Sequence, residues 1–533
     1  MRNALLLALA LMTLPGLAEI PHLKKTGTAT QLIVDGKPFI MIGGEAHNSS
    51  ASDLAYLERV LAKFKQLNAN TILAPIAWEQ FEPTEGTFDY TLIDGMVKLA
   101  RKHDQKVVVL WFGSWKNGVS SYTPEWVKRD GKRFPQALNK AGNRKELIST
   151  LADANRDADA KAFAALMKRI KKIDRNHNTV IMVQVQNEIG IRPELRDHAP
   201  DATAAFAGAV PEALTGYLTA NKATLHPELL KRWAASDFKT RGTWEEVFGG
   251  TPGADEVFSV WHYARYVEAI TAAGKKEHPL PMFVNAWLPF PGGDPGNYPC
   301  GGPVEHMLDV WRAAAPSIDI FAPDIYLGAF KEICAQYTRA GNPLLIPEHM
   351  RDDDTPAKAY WAFGRHHGLC FAPFGFESFA TNHPIAAAYG ILNQLAPLIG
   401  AAQGTGRLSA VFCQSDEQPT QEHIRLGDWT LLARANAGKK ENNGRGGAIL
   451  ILTAPDELII AGHDFDLHHE GNDRFLSVEM GTVENGVFKP TLRLNGDETG
   501  ANWQVRHPAF ASNFFLEPTR PAIYRVKLFR HPK

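Results

Sequence analysis

The sequence predicts an α/β fold, namely a (β/α)8 or TIM barrel followed by a smaller all-β sandwich. From about residue 31 to residue 400, short apolar runs alternate with stretches that have the apolar periodicity of amphipathic helices. The apolar runs are nearly continuous, which is typical of parallel strands covered on both faces. After about residue 400, alternating runs and turn signals replace the helical pattern.

Eight apolar runs predict the strands of the barrel, because each is followed by a helix or by room for one. They cover residues 39–44, 71–75, 106–111, 179–185, 281–286, 318–322, 344–346 and 369–372. Ser52 is the expected N-cap of the first helix. The long segment 192–253 is interpreted as a helical insertion. An open doubly wound sheet is the alternative, but it would require a glycine-rich phosphate loop after the first strand, where the chain has Gly43-Gly44-Glu45-Ala46.

The two ends of the chain have different characters. Arg2, an apolar run over residues 4–14 and Gly16-Leu17-Ala18 predict a signal peptide over residues 1–18. The mature protein is therefore expected in the periplasm or outside the cell, without a membrane anchor. The barrel is assigned to residues 19–400 and the sandwich to residues 401–533. Within the sandwich, Glu484-Asn485-Gly486 predicts a tight hairpin turn, and the domain is expected to pack on the side of the barrel as a stabilising unit.

Composition limits the classes of partner. The 533 residues carry a formal net charge of −1 and lack a basic stripe, which argues against nucleic acid and favours a neutral substrate. The oligomeric state stays open. The four cysteines lack the spacing of a zinc site and allow three full pairings. We expect a disulfide between Cys300 and Cys334, which follow neighbouring strands, and reduced thiols at Cys370 and Cys413.

Polar and aromatic side chains follow most of the predicted strands, at the barrel face where active sites form. Aromatic rings and carboxylates suit the apolar faces and the hydroxyl groups of sugars. The residues at these ends include Glu45, His47, Trp78, Glu79, Trp111, Trp115, Asn187, Glu188, Asn285, Trp287, Tyr326, Glu348 and Glu377. Glu188 and Glu348 each end an apolar run, where desolvation makes an unpartnered carboxylate costly. Two such carboxylates are what a glycosidase needs around a glycosidic bond.

Three motifs resemble glycoside hydrolase family 35, the retaining β-galactosidases. They are Gly43-Gly-Glu-Ala-His47, Trp78-Glu-Gln-Phe-Glu-Pro83 with Gly86-Thr-Phe-Asp89, and Gln186-Asn-Glu-Ile-Gly190, within a resemblance that covers roughly residues 30 to 400. The resemblance implies that Glu188 is the acid/base and that Asn187 bonds the sugar 2-hydroxyl. It also places the nucleophile on strand seven, which is Glu348 by our strand count. Glu377, at the end of strand eight, is the rival nucleophile.

The remaining predicted site residues are assigned to substrate binding. Tyr326 ends strand six, where its hydroxyl can hydrogen-bond the nucleophile and keep it ionised. Glu377, Trp115, Trp78, Glu45 and His47 complete the predicted substrate-binding set. The predicted chemistry requires neither cofactor nor metal. After strand three the chain departs from the family, because common members carry Ala-Glu where this chain has Trp115-Lys116-Asn117-Gly118. A usual galactose-hydroxyl contact is therefore absent or supplied differently.

The sequence thus predicts a secreted, exo-acting β-galactosidase that hydrolyses plant cell-wall oligosaccharides or polysaccharides with retention of configuration. One alternative is another retaining glycosidase of the same clan, such as an endo-β-glucanase or an arabinosidase. The other is an inactive carbohydrate-binding protein, which the presence of both glutamates disfavours.

Overall fold

The structure is a computed structural model of the chain. It describes residues 19–413, 421–435, 446–463, 465–469, 473–494, 513–515 and 522–530. The predicted signal peptide, residues 1–18, lies outside the described residues.

A closed ring of parallel strands forms the larger part of the molecule, which confirms the predicted barrel. Its strands, in chain order, are Met41–Glu45, Thr71–Ala77, Lys106–Phe112, Val180–Val185, Met282–Trp287, Ile320–Ile325, the pair Leu345–Ile346 and Glu348–His349, and Cys370–Phe371. Pro347 interrupts the seventh strand because proline has no N–H for the strand ladder. The segment before Pro347 pairs with strand eight, and the segment after it pairs with strand six. The ring closes through this broken strand.

The strand register brings several polar residues to one level of the barrel. Asp324 in strand six is paired with Glu348 in strand seven and with Trp287 in strand five. Glu45, at the end of strand one, is paired with Leu73 and bridges to Phe374, beyond strand eight. Because parallel strands end on the same side of a barrel, these residues meet at its carboxyl-terminal face.

Helices surround the ring, and the predicted insertion is confirmed as helical. They are Leu54–Gln66, Trp78–Phe81, Thr91–Lys102, Glu125–Arg129, Asp153–Asp174, Pro200–Ala207, Glu212–Ala220, Pro227–Ala234, Trp244–Phe248, Gly253–Glu277, Leu308–Ala314, Phe330–Tyr337, Thr355–Arg365 and Pro384–Ala402. The predicted cap of the first helix is wrong by one residue. Asp53 is the N-cap, since its side chain accepts from the Tyr56 backbone N–H at 2.7 Å, whereas the Ser52 hydroxyl donates to the Ser49 carbonyl.

A small antiparallel sheet that the sequence pattern did not predict precedes the barrel. Its strands are His22–Thr26, Ala29–Val34 and Lys37–Pro38. Leu32 and Val34 are buried in one cluster with barrel residues such as Leu73 and Val108. Since this sheet leads directly into strand one, it covers the amino-terminal end of the barrel and leaves the opposite end for the site.

Two antiparallel sheets form the carboxyl-terminal part. The larger contains, in spatial order, Leu408–Cys413, Gly446–Ala454, Glu457–His463, Ala522–Arg530, Asp473–Glu484 and Val487–Leu494. The smaller contains Gln421–Leu426, Trp429–Ala435, Phe465–His469 and Asn513–Phe515. Asn485 and Gly486 have φ of 52° and 77°, the left-handed pair that a type I′ hairpin requires. The hairpin prediction is therefore confirmed.

The larger sheet packs on the side of the barrel, as predicted. Phe412, Ile449 and Ile451 of this sheet are buried in the same cluster as the barrel core, and its strands contact the helices Thr355–Arg365 and Pro384–Ala402. The sheet and the helix Thr355–Arg365 lie so close that a Cβ added at Gly447 would be 2.6 Å from the Cβ of Ala357. Pro384–Ala402 is long and apolar enough to cross a membrane by length and composition, but half of it is buried within the protein.

The expected Cys300–Cys334 disulfide is wrong, because all four cysteines are free and buried. Cys300 lies in the loop beyond strand five, where its backbone forms an isolated antiparallel β-bridge with Ile191. Cys334 lies within the helix Phe330–Tyr337, with its side chain in the core. The two positions follow neighbouring strands, but one cysteine is held in a loop and the other in a helix, and their side chains do not meet.

Candidate active site

A cavity of about 430 Å³ opens at the carboxyl-terminal face of the barrel. This volume lies within the range typical of small-molecule sites. Its lining residues are Asn48, Lys116, Asn117, Glu188, Trp287, Leu288, Phe290, Asp324, Tyr326, Leu327, Glu348 and Phe374. Both predicted catalytic glutamates are among them, although 160 positions separate Glu188 from Glu348 in the chain.

Glu348 is held by donors from two other strands. The Asn187 side-chain amide donates to Oε1 at 3.0 Å, and the Tyr326 hydroxyl donates to Oε2 at 2.7 Å. The Lys116 ammonium lies 3.8 Å from Oε1. Hydrogen bonds and a nearby positive charge stabilise the ionised form of a carboxyl group. The surroundings of Glu348 thus favour a carboxylate, which is the form that a nucleophile requires.

Glu188 follows strand four on a backbone that is unusual for a residue with a side chain. Gln186 and Glu188 have φ of 66° and 42°, in the left-handed region. The Glu188 N–H donates to the Asn285 side-chain oxygen at 3.0 Å, and the Gln186 side chain donates to Asp159 at 2.6 Å. Such backbone conformations persist only where surrounding contacts hold them. These contacts hold the Glu188 carboxyl group at the cavity wall.

Asp324 is a third carboxyl group in the same place. One carboxyl oxygen from each of Glu188, Asp324 and Glu348 lies within 4.8 Å of the other two. The Asn285 side-chain amide donates to Asp324 at 2.7 Å. Carboxyl groups in a retaining glycosidase lie roughly 5–5.5 Å apart, whereas an inverting enzyme needs a wider gap for water. The short distance between Glu188 and Glu348 therefore matches retention.

The pKa values within this cluster are shifted upward. Burial, followed by the negative charge of Glu348, raises the pKa of Glu188 to about 8. Burial, together with the charges of Glu348, Glu188 and Glu45, raises the pKa of Asp324 well above its usual range. Both shifts favour the protonated form of the carboxyl group.

Glu45, His47 and Glu377 lie beside the cavity and are not among its lining residues, and their role in binding substrate stays a prediction. Glu377 accepts from the His47 backbone N–H at 3.1 Å and from the Ser50 hydroxyl at 2.6 Å. It thereby links the loops after strands one and eight, and the rival interpretation of Glu377 as nucleophile loses support. Glu45 is fully buried, and burial raises its pKa well above the usual range.

Trp78 and Trp115 are core residues and do not form a sugar platform, contrary to the prediction. Both are fully buried. The Trp78 ring N–H donates to Glu82 at 2.8 Å, and its ring packs edge-on against Trp126. Trp115 packs against Tyr266, with ring centroids 4.5 Å apart. The large apolar area of tryptophan is the physical reason, since burial stabilises it more than exposure at a cavity rim.

The structure adds residues to which the sequence analysis assigned no role. Asp324 lies two residues beyond the predicted end of strand six, and only its position before Tyr326 could have drawn attention to it. Trp287 and Phe290 supply an apolar wall after strand five, and Phe290 is 56% exposed. Lys116 was noted as a departure from the family pattern, and the structure now places it inside the cavity.

Comparison with known families identifies two matching segments. Residues 50–251 match the sequence model of glycoside hydrolase family 42, described as β-galactosidase. Residues 385–506 match DUF5597, a domain family of unknown function. The matches support a relationship to β-galactosidases of the retaining clan GH-A, but they do not single out family 35. The family-35 assignment implied by the motifs is thus supported only at the level of the clan.

Two curated proteins are similar to parts of the chain. A β-galactosidase from Xanthomonas manihotis is 31% identical over 206 residues, which cover 37% of this chain and 31% of that protein. A β-1,2-glucosyltransferase from Ignavibacterium album is 25% identical over 187 residues, which cover 32% of this chain and 25% of that protein. The chain thus spans about a third or less of the length of the curated relatives it matches.

Among solved structures, the β-galactosidase from the psychrophilic Marinomonas ef1 has a TM-score of 0.45 to this chain at 13% identity. The similarity covers 69% of this chain and 63% of that one.

Proposed function

We propose that the protein is a retaining glycoside hydrolase that cleaves terminal β-galactosyl residues. The observation that carries the proposal is the pair Glu188 and Glu348, which place carboxyl oxygens within 4.8 Å of each other in one cavity. Their surroundings differ in the way that a double displacement requires. The surroundings of Glu188 favour its protonated form, and the surroundings of Glu348 favour its ionised form.

The mechanism follows from these surroundings. Glu348 attacks the anomeric carbon and forms a covalent glycosyl-enzyme, while Glu188 donates its proton to the departing glycosidic oxygen. Attack neutralises the charge of Glu348, which lowers the tendency of Glu188 to hold a proton. Glu188 then removes a proton from the incoming water, and the glycosyl-enzyme is hydrolysed with overall retention.

Asn187 and Tyr326 assist this chemistry through Glu348. Each donates one hydrogen bond to a different carboxyl oxygen of Glu348. This fixes the orientation of the carboxylate toward the cavity. The family resemblance further implies that Asn187 bonds the sugar 2-hydroxyl, and this role stays part of the proposal.

We further propose that the sugar is galactose and that the natural substrate is a plant cell-wall carbohydrate. The family-42 match and the similarity to a β-galactosidase support galactose. Exo action on plant cell-wall oligosaccharides or polysaccharides, membership of family 35 and secretion rest on the sequence motifs and on the predicted signal peptide. The proposed binding partner of the site is a carbohydrate substrate.

The proposal is tested with paired nitrophenyl β-galactoside, β-glucoside and α-arabinoside substrates, with the first-formed anomer of the product followed by NMR. We expect the β-galactoside to be hydrolysed fastest and β-galactose to appear first. Preference for another glycoside with retention would keep the reaction and change the sugar, in favour of another glycosidase of the clan. No turnover of any glycoside by protein shown to be folded would contradict the proposal.

A further inference from the structure

We infer that Lys116 is a positioning residue of this site, whose ammonium group selects Glu348 as the ionised member of the carboxyl cluster and thereby leaves the transferable proton on Glu188. The inference rests on the proposed function and assigns a task to the residue at which the chain departs from the family-35 pattern.

The position of Lys116 is set by its local backbone. It follows strand three in a tight turn, where its N–H donates to the Val119 carbonyl at 2.9 Å and its carbonyl accepts from the Val119 N–H at 3.1 Å. The side chain is 7% exposed, and its ammonium lies 5.1 Å from the centroid of the Phe112 ring. The turn and the ring thus direct a positive charge into the cavity.

Four buried carboxyl groups face this one ammonium group. Glu348, Glu45, Glu188 and Asp324 all interact electrostatically with Lys116. Tyr122 also interacts with it, as a neutral phenol whose pKa is raised by burial. Arg192 is a second cation that interacts with Glu188, and its guanidinium packs over the Trp287 ring at 4.6 Å.

One buried cation can compensate one buried anion, and an uncompensated buried charge is costly. Glu348 is the member of the cluster that forms an ion pair with Lys116, at 3.8 Å. The other three carboxyl groups are then most stable when protonated. The raised pKa values of Glu45, Glu188 and Asp324 agree with this distribution of protons.

Lys116 could instead bind a sugar hydroxyl, and kinetic measurements distinguish this role from control of the charge of the carboxyl cluster. Among the described residues, none accepts a hydrogen bond from the Lys116 ammonium, which lines the cavity. If Lys116 served only to bind a sugar hydroxyl, its removal would raise KM and leave the pH dependence of the reaction in place. If it set the charge of the cluster, its removal would change the pH dependence itself.

The test compares pH profiles of kcat/KM for Lys116→Met, Lys116→Arg and wild type on the best nitrophenyl glycoside. Lys128→Met is the matched control, since Lys128 also pairs with a glutamate, Glu79 at 2.9 Å, but at the exposed surface. We expect Lys116→Met to reduce the maximum of kcat/KM by at least about tenfold and to move both limbs of the profile to higher pH by about one unit. Lys116→Arg should keep the wild-type profile within a few tenths of a unit, and Lys128→Met should match wild type.

A measurement that does not depend on turnover completes the test. Carboxyl ¹³C resonances of labelled glutamate, assigned with Glu188→Gln and Glu348→Gln, report which glutamate is ionised at each pH. We expect the Glu188 titration to move upward in Lys116→Met. An unchanged titration with a raised KM, or an unchanged profile altogether, would overturn the inference. Inactive wild type would instead contradict the proposed function, and the titration would still decide the role of Lys116. If Lys116→Met folds poorly, Lys116→Gln takes its place in both measurements.

Discussion

Two buried glutamates, Glu256 and Glu188, have opposite proton affinities in this protein. Both are almost completely removed from solvent. Burial disfavours ionisation of Glu256, but the hydrogen bond and charge of His306, the charge of Arg232 and the Tyr298 hydroxyl outweigh it and lower the pKa to about 2. Glu188 has no comparable set of donors, and burial beside Glu348 raises its pKa to about 8.

The difference shows what distinguishes a structural carboxylate from one that is available for chemistry. The Tyr298 hydroxyl donates to Glu256 at 2.6 Å and the His306 ring lies 2.9 Å from the same oxygen, so the capacity of Glu256 to accept is met within the protein. Glu188 instead faces a cavity and other carboxyl groups. Burial is common to both sites, so it is the kind of neighbour that marks the second as functional: Glu188 lies beside other carboxyl groups, whereas Glu256 lies beside Arg232 and His306.

The largest effect is expected for the nucleophile. Replacing Glu348 with Gly should reduce kcat by about 10⁴-fold or more, because no other group can form the glycosyl-enzyme. Azide should restore turnover and yield the α-glycosyl azide, since a small anion can occupy the emptied space. The product is identified by NMR, and Glu377→Ala is the matched control. Azide rescue of Glu377→Ala, with activity kept in the Glu348 variant, would reverse the assignment.

The acid/base should show an effect that depends on the leaving group. In Glu188→Ala, substrates with sugar leaving groups should lose about 10² to 10⁴-fold in kcat/KM, because these oxygens must be protonated as they depart. Nitrophenyl glycosides should lose far less in the glycosylation step, and azide should now give the β-glycosyl azide. Steady-state kinetics on both substrate classes provide the measurement. Equal losses for the two classes would remove Glu188 from this role.

The structural glutamate should affect stability instead of catalysis. Glu256→Gln leaves buried Arg232 and His306 without their anion, which costs about 3–5 kcal/mol of unfolding free energy near neutral pH. The pKa of Glu256 is lowered on folding, so its stabilisation is present above about pH 4.5 and is lost as pH falls toward 2. Denaturant unfolding at pH 7 measures the loss. The kcat of the remaining folded protein should stay at the wild-type value, and a large fall in kcat would place Glu256 in the catalytic machinery.

Glu188→Gln should raise the stability of the folded protein at alkaline pH, whereas Glu256→Gln lowers it. The pKa of Glu188 is raised on folding, so the folded protein holds a proton that the unfolded chain releases between about pH 4.5 and pH 8. The wild type therefore loses stability as pH rises through this window, and the variant should not lose this contribution. We expect a melting temperature at pH 8 that is about 2 °C or more above wild type. At pH 4 the two proteins should melt at similar temperatures, and a lower value for Glu188→Gln at pH 8 would contradict the proton assignment.

The smallest effect is expected for Asp324→Asn. If Asp324 is neutral at pH 7, the amide reproduces its size and can accept from Asn285 while donating toward Glu188. We expect kcat/KM to stay within about tenfold of wild type, whereas Asp324→Ala should fall further because it leaves Asn285 without an acceptor. Kinetics of the two variants on one nitrophenyl glycoside make the comparison. A loss in Asp324→Asn as large as the loss in Asp324→Ala would show that the charge of Asp324 is needed.

Much of this architecture was determined by the sequence alone, because it depends on local patterns. Continuous apolar runs predicted the barrel strands, and Asn485-Gly486 predicted the hairpin turn through backbone preferences that belong to those residues. Glu188 and Glu348 were identified because a glutamate that ends a buried strand is unusual wherever the strand lies in the fold. These signals need no knowledge of distant neighbours.

Only the tertiary structure decided how the site is composed. Lys116 is far from Asp324 and Glu348 in the chain, and the folded barrel brings the three side chains together, so their protonation depends on distances that no local pattern contains. The same limit explains Trp78 and Trp115, whose positions at strand ends suited a sugar platform but whose rings turn into the core. Local preference determines which element a residue joins, whereas long-range packing determines what its side chain meets.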